Sequence, residues 1–411
     1  MTSGLVRALA SAALIGIAAK GIAAETVRIA FIDPLSGPFA NVGEMEVRAF
    51  QYAIDLVNAR GGVLGGTKLE LAAFDNKANP QDSLLALKQA NDQGIRYVTQ
   101  GNSSAVALAL SDAISKQNAR DPDRTMLYLN YAAVDPALTN ERCSFWHFRF
   151  DADADMKMAA MTDTIAKDPK VKRVYLINQD YSFGKAVAAA ANRMLKEKRP
   201  DIKIVGDELH PLQKINDFSP YIAKIKASGA DTVITGNWSN DMVLLIKAGK
   251  DAGLNVEWET YYGGSPGTVS AVGEAGVDTL KQVSEWHRNA TPQLDASVEA
   301  FSKRYPGKEN EYAYWRAKTM WEMFAAAAKK AKSNDPVQVA RALEGMKMMT
   351  LLGEVEMRAD NHQLLQPLYV STLERKVKYD SEGTGLGWRT DEKVLSKATA
   401  LPTTCKMDRP H

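Results

Sequence analysis

Cysteine is scarce in this 411-residue chain, occurring only as Cys143 and Cys405. Neither has a second cysteine or a histidine at metal-ligand spacing. The five histidines (His147, His210, His287, His362 and His411) are scattered. No metal site is expected from such a set. A phosphate loop, which needs Gly-Lys-Ser/Thr behind a glycine-rich turn, is missing. No nucleophile elbow is expected: "GNSSAVA" lacks the second glycine of that motif. "GGVLGG", residues 61–66, ends a helical pattern and opens a strand, so it reads as a turn. Asp153 and Asp155 read as charge at a helix N-terminus, which the helix dipole favours. The chain is therefore expected to be neither an enzyme nor a cofactor carrier. An excess of one charge is absent too: 51 basic and 49 acidic residues leave a net charge of +2. So even a balance implies no basic face for nucleic acid.

Long apolar runs are confined to the N-terminus, "MTSGLVRALASAALIGIAAKGIAAE". One early positive charge, Arg7, precedes an apolar stretch from Ala8 to Ala19 and then small residues up to Ala24. This is the layout of a secretory signal peptide, residues 1–24, cut near Ala23 or Ala24. The alternative, a membrane anchor, suffers from a run too short to span and broken by Lys20. Without a cysteine at the cut, lipid attachment is not expected. In an exported chain the two cysteines are most simply a disulfide tying the C-terminal tail to the body; two free thiols are the alternative.

What the chain has in quantity is alternation. "TVRIAFI" is a strand pattern, "EMEVRAFQYAIDLVNAR" an amphipathic helix, "KLELAAFD" a strand and "PQDSLLALKQANDQG" a helix opened by Pro80. "IRYVTQGN", "AVALALSDAISKQNAR" and "TMLYLNYA" continue the series, which restarts after "FWHFRFDADAD" with "VKRVYLINQD". Such alternation predicts parallel sheets covered by helices on both faces. After "VSEWHRNATP" the chain turns mainly helical, and "GEVEMRADNHQLLQPLYVSTLERKVKY" reads as two strands around a turn.

Open α/β sheets bind ligands at the C-terminal ends of their strands. "GNSSA" follows the third strand and opens a helix, so its N–H groups with Asn102, Ser103 and Ser104 form a candidate carboxylate cradle; N-capping by a serine is the alternative. "NYAAVD", "NQDYSFG" and "GNWSND" occupy equivalent places, which puts Tyr181, Phe183 and Trp238 on loops at sheet edges. There they wall an apolar ligand or simply pack their loops.

"SGPFANVG", "A-x-x-x-V-N-A-R-G-G", "GNSSA" and the loop after "VYLINQD" resemble the periplasmic solute-binding proteins of branched-chain amino acid ABC transporters. The resemblance runs through the mature chain in order. It implies an α/β fold of two Rossmann-like lobes with parallel central sheets, joined by a three-segment hinge, with ligand in the cleft. Lobe boundaries are expected at 25–149 plus 287–360 and 150–286 plus 361–411, with crossings near Phe150, Trp286 and Asn361. It also implies a periplasmic monomer, a small carboxylate ligand, and permease and ATPase subunits as partners. Carried over by motif, the carboxylate falls to Ser104, and the family's ligand-binding backbone groups after the fourth strand fall to Ala132 and Ala133. Val134 stands where the family has a threonine that helps to hold an ammonium, and the next positions are Phe183 beside Tyr181, Trp238 and Tyr262. Phe39 and Val42 line the cleft mouth. The carboxylate end is kept and the ammonium end is missing, with Asp241 or Glu259 as the anions that could swing in. A carboxylic acid with an aromatic or extended apolar body is expected. An exported sensor module of the same fold is the second reading.

Overall fold

The computed structural model describes residues 26–307 and 315–410. The expected signal peptide lies outside the described residues. The first sheet grows from β1 (Thr26–Asp33), β2 (Lys68–Asp75), β3 (Tyr97–Gln100), β4 (Leu127–Asn130) and β5 (His147–Arg149). Its order is β2-β1-β3-β4-β5, with every pairing parallel. Strands β3 and β4 are buried along their whole length, as strands sandwiched between helices must be. The helices between them are α1 (Ala40–Ala59), α2 (Pro80–Asp92) and α3 (Ser104–Arg120). Asn79 caps α2, its side chain accepting from the N–H groups of Gln81 and Asp82.

The second sheet follows the same logic. Helix α4 (Ala154–Lys167) leads into β6 (Arg173–Gln179), α5 (Ser182–Lys198), β7 (Lys203–His210), α6 (Ser219–Ser228) and β8 (Thr232–Thr235). Then come α7 (Asn240–Asp251), β9 (Glu257–Thr260), α8 (Thr268–Val272) and β10 (Leu280–Ser284). Helices α9 (Asp295–Arg304), α10 (Trp315–Ala331) and α11 (Pro336–Leu343) precede β11 (Lys347–Thr350), β12 (Gly353–Met357) and β13 (Leu364–Leu365), a small antiparallel sheet. Finally β14 (Leu368–Arg375) and β15 (Leu386–Val394) add antiparallel strands to one edge of the second sheet, giving β15-β14-β10-β9-β8-β6-β7. Helix α10 belongs to the first lobe's core, where Trp321 and Phe324 pack with Phe50 and Tyr97.

The chain passes between the two sheets three times, at residues 150–153, 285–294 and 366–367. The third passage comes later than the expected Asn361, because Leu364 still packs in the first core while Leu368 packs in the second. The C-terminal boundary is corrected as well. Residues 403–410 return to the first lobe, through the Cys143–Cys405 disulfide and a contact between Thr403 and the Thr139 carbonyl. Arg409 reaches Glu344.

Candidate functional site

Phe31 to Gly43 carries β1 out of the sheet and into α1. Asp75, ending the neighbouring β2, pins this exit by accepting from the Leu35 N–H at 2.9 Å and from the Ser36 hydroxyl. Glycine is required at Gly43, where an added Cβ would lie 1.8 Å from the Pro34 carbonyl oxygen. That close approach lays the first turn of α1 against the exit loop, and Phe39 stands just ahead of it at the helix N-cap. Its ring stacks on Trp238 of the second lobe, centroids 4.8 Å apart at 23°. The loop is a lip.

Behind this contact lies a cleft between the sheets. Val42, Asn102, Ser103, Ser104, Ala132, Ala133 and Val134 line it from the first lobe; Tyr181, Phe183, Trp238 and Tyr262 line it from the second. Of the sequence candidates only Phe39 stands outside the lining, backing Trp238 instead. The space open to the centres of water molecules is about 70 Å³. One water needs roughly 10–15 Å³ by this measure, so the cleft suits a compact solute.

The first-lobe end is built on Asp33, fully buried at the end of β1. It accepts from the N–H groups of Gly101 and Asn102 at 3.0 and 2.9 Å and from the Tyr131 hydroxyl at 2.8 Å. Burial pushes its pKa up to about 7. These bonds fix the "GNSS" turn, and Ser103 enters α3 at a φ of +73° without any side-chain cap. Ser104 Oγ accepts the Asp135 N–H at 3.2 Å, which leaves its own proton to donate. Ala132 and Ala133 line the cleft with their N–H groups already engaged. Asn130 Oδ1 takes both their N–H groups, at 3.1 and 2.8 Å, and Asn130 Nδ2 takes the Ala133 carbonyl.

On the second lobe the Trp238 indole N–H donates to the Tyr181 hydroxyl at 2.8 Å. Burial raises the Tyr181 pKa, so the phenol keeps its proton as a donor. Lys157 lies 5.1 Å from the Tyr262 ring centroid. Neither expected swinging anion reaches the cleft. Asp241 is turned to Gln179 Nε2 and the Gln213 N–H, and Glu259 to Lys281 at 3.2 Å. Gly263 to Gly267, "GGSPG", does spell the nucleophile elbow that the sequence reading passed over. Ser265 nevertheless sits in a plain turn, its N–H on the Tyr262 carbonyl. No hydrogen bond joins it to a histidine among the described residues, and the nucleophile–base pair of that motif is not formed.

Two charged residues in the lining escaped sequence reading, Glu46 and Arg316. Both sit on the apolar stripe of their helix: Glu46 with Phe50, Ala53 and Val57 on α1, Arg316 with Met320, Met323 and Ala327 on α10, all buried. A charge on a core-facing stripe was the available signal. Glu46 accepts from Asn102 Nδ2. Arg316 donates to Glu285 at 2.9 Å and to Asp151, which also pairs with Lys157 at 3.0 Å. Arg149 is paired with Asp153 and hydrogen-bonded to Gln363, whose Nε2 donates to the Asp151 carbonyl. Ion pairs and amide bonds thus bind together residues on or beside all three chain passages.

A family profile described as "Periplasmic binding protein" matches residues 26–378. The Leu/Ile/Val-binding protein homolog 4 of Brucella melitensis is 33% identical, over 98% of this chain and 97% of its own. The closed-conformation crystal structure of the leucine-, isoleucine-, valine-, threonine- and alanine-binding protein from Brucella ovis superposes with a TM-score of 0.85. It is 31% identical, over 94% of this chain and 100% of its own. A solute-binding protein from Rhodopseudomonas palustris, solved with p-hydroxybenzoic acid, shares the fold at TM-score 0.78 and 20% identity, covering 90% of this chain and 98% of its own. With a two-lobed α/β body, a cleft at the strand ends and these likenesses, the chain belongs to the periplasmic binding protein family, whose members are solute-binding transport proteins.

Proposed function

We propose that this protein captures a small carboxylate with an apolar or aromatic body in its interlobe cleft and delivers it to the permease of an ABC transporter. The observation that carries the reading is the Ser104 hydroxyl. It is held by the Asp135 N–H so that its proton is left to donate, at the N-terminus of α3, in a cleft walled by Val42, Val134, Phe183 and Tyr262. Helix N-termini bring unsatisfied N–H groups and positive partial charge to the same point. The relatives' names give leucine, isoleucine and valine for the two Brucella proteins, with threonine and alanine added for the B. ovis one, and p-hydroxybenzoic acid for the R. palustris one; all are small carboxylates, and all but threonine have an apolar or aromatic body. Glu46 adds an anion that the sequence expectation lacked, so an α-ammonium group falls within the class. The leader, residues 1–24, is removed on export, and the mature protein works as a monomer with its own permease and ATPase subunits. The lobes on either side of the three passages close on the ligand.

Calorimetry of the mature protein with leucine and with 4-methylpentanoate, its des-amino analogue, tests this. Ser104→Ala should weaken whichever acid binds by about 1.5–3 kcal/mol, as expected for a hydrogen bond to a charged group. Glu46→Gln should weaken leucine more than 4-methylpentanoate. Full affinity in Ser104→Ala would overturn the carboxylate cradle.

A further inference from the structure

A second cavity lies on the flank of the second chain passage, outside the cleft. Strand β10, the passage itself and the β14–β15 loop wall it on one side. Val298 of α9 faces it from the first lobe, where α9 packs against Tyr52 of α1. The space open to the centres of water molecules is about 340 Å³ here, against about 70 Å³ in the cleft. The two are neighbours. Pro266 lines both, and Glu285 in the wall of the second cavity pairs at 2.8 Å with Arg316 in the wall of the cleft.

Two polar side chains in this wall are unused by the protein. Gln282 on β10 is 5% exposed, and its amide makes no hydrogen bond among the described residues. Unlike the amide of Gln366, which is sealed in the interior, that of Gln282 opens on the cavity. Gly264 makes room for it, since a Cβ added there would lie 2.4 Å from Gln282 Oε1. Arg288 is the second. Its guanidinium lies 3.9 Å from the Tyr379 ring centroid, its Nε is buried without a partner, and it forms no ion pair among the described residues. Stacking on an aromatic face fixes a guanidinium without using its donors. Polar groups so far buried nearly always find partners, which makes this pair an exception to be explained.

The acids around the cavity are engaged elsewhere. Glu285 is held by Arg316, and Glu382 accepts the N–H groups of Gly267 and Ser270 at 2.5 and 2.8 Å. Asp380 is exposed and accepts the Gly385 N–H at 2.9 Å. We infer that this cavity is a second binding site, for a small N-acylated amino acid. Its carboxylate meets the Arg288 fork, which suits two parallel N–H···O bonds. Its amide answers Gln282, whose side chain both donates and accepts. Its apolar side chain lies along Trp286 and Trp388, which supply the apolar wall with Val298 and Pro266.

The test is calorimetry of the mature protein with N-acetyl-L-leucine and with its uncharged counterpart, N-acetyl-L-leucinamide. The acid should bind, and the uncharged compound about tenfold more weakly. Arg288→Gln should bring the two within about twofold by weakening the acid, while Arg288→Lys, which keeps the charge, should keep the preference. Gln282→Leu should weaken both compounds by a similar factor without lowering the melting temperature, because it removes an amide that the fold itself does not use. Ser104→Ala, in the cleft, should change neither. No binding of the acid by the wild type, or equal affinity for the two compounds, would overturn the second site. So would a loss in Ser104→Ala with none in Arg288→Gln, which would put the acid in the cleft. Each of these outcomes leaves the transport reading standing, since leucine and 4-methylpentanoate test that separately.

Discussion

Single buried acids give the protein a pH response whose sign can be worked out. Glu259 on β9 faces Lys281 across the β9–β10 pairing and is 1% exposed. Burial outweighs the lysine and pushes its pKa up to about 7. A carboxyl raised in the fold holds its proton where the unfolded chain has lost it. Stability therefore falls as pH rises from roughly 4.5 to 7 and is level beyond. Asp33 titrates in the same direction, also near 7, while buried His287, pushed down to about 4, acts oppositely between roughly 6.5 and 4. Glu259→Gln leaves Lys281 paired with Glu257 at 2.8 Å. Its melting temperature should therefore drop less than the wild type's between pH 5 and pH 8. Parallel melting curves for the two proteins across that range would show that Glu259 is ionised throughout.

At the scale of elements, the C-terminal tail shows how a short segment without secondary structure is held. Cys405 is joined to Cys143 across 262 residues of sequence, with Cα atoms 5.6 Å apart. Arg409 pairs with Glu344 and lies 6.0 Å from the Phe145 ring, and Arg341 holds the Pro410 carbonyl. None of these residues lines the cleft. Replacing both cysteines by serine should lower stability by about 2–4 kcal/mol, typical for a native disulfide. It should expose the tail to limited proteolysis and leave ligand affinity within about twofold. A large loss of affinity would mean that the tail is coupled to the cleft. This element was half legible: the cysteine count gave the bond, but not the return to the first lobe. The alternating strands and helices were legible for the same local reason, since each run carries its own period. The edge strand β15, "LGWRTDEKV", was not, because its outer half alternates half-buried with exposed polar side chains and its partner β14 decides its state. Nor could Asn130 be foreseen, since its capture of the Ala132 and Ala133 N–H groups depends on one side-chain rotamer at a strand end.

For the whole molecule the question is what ligand binding moves. The first lobe reaches the second through Phe39 on Trp238, a stacked pair at the rim, and through the ion pairs of Arg316 that gather two of the three passages. The passages are short, and Arg316, rooted in the first lobe, touches Asp151 on one and Glu285 on another. On the proposed closure, a hinge so built would change angle with its charges still paired, because the loss of one partner would strand a buried charge at several kcal/mol. The rim rings, already stacked at 4.8 Å, would then stay together over the ligand. Small-angle scattering should show the mature protein becoming more compact with saturating ligand. Phe39→Ala should keep the association rate and speed dissociation by roughly 2–10-fold, the kinetic form of an aromatic pair worth ~0.5–1.5 kcal/mol. Stopped-flow fluorescence of Trp238 reads both rates. If scattering is unchanged by ligand and Phe39→Ala alters only association, the lip steers entry and the lobes do not close.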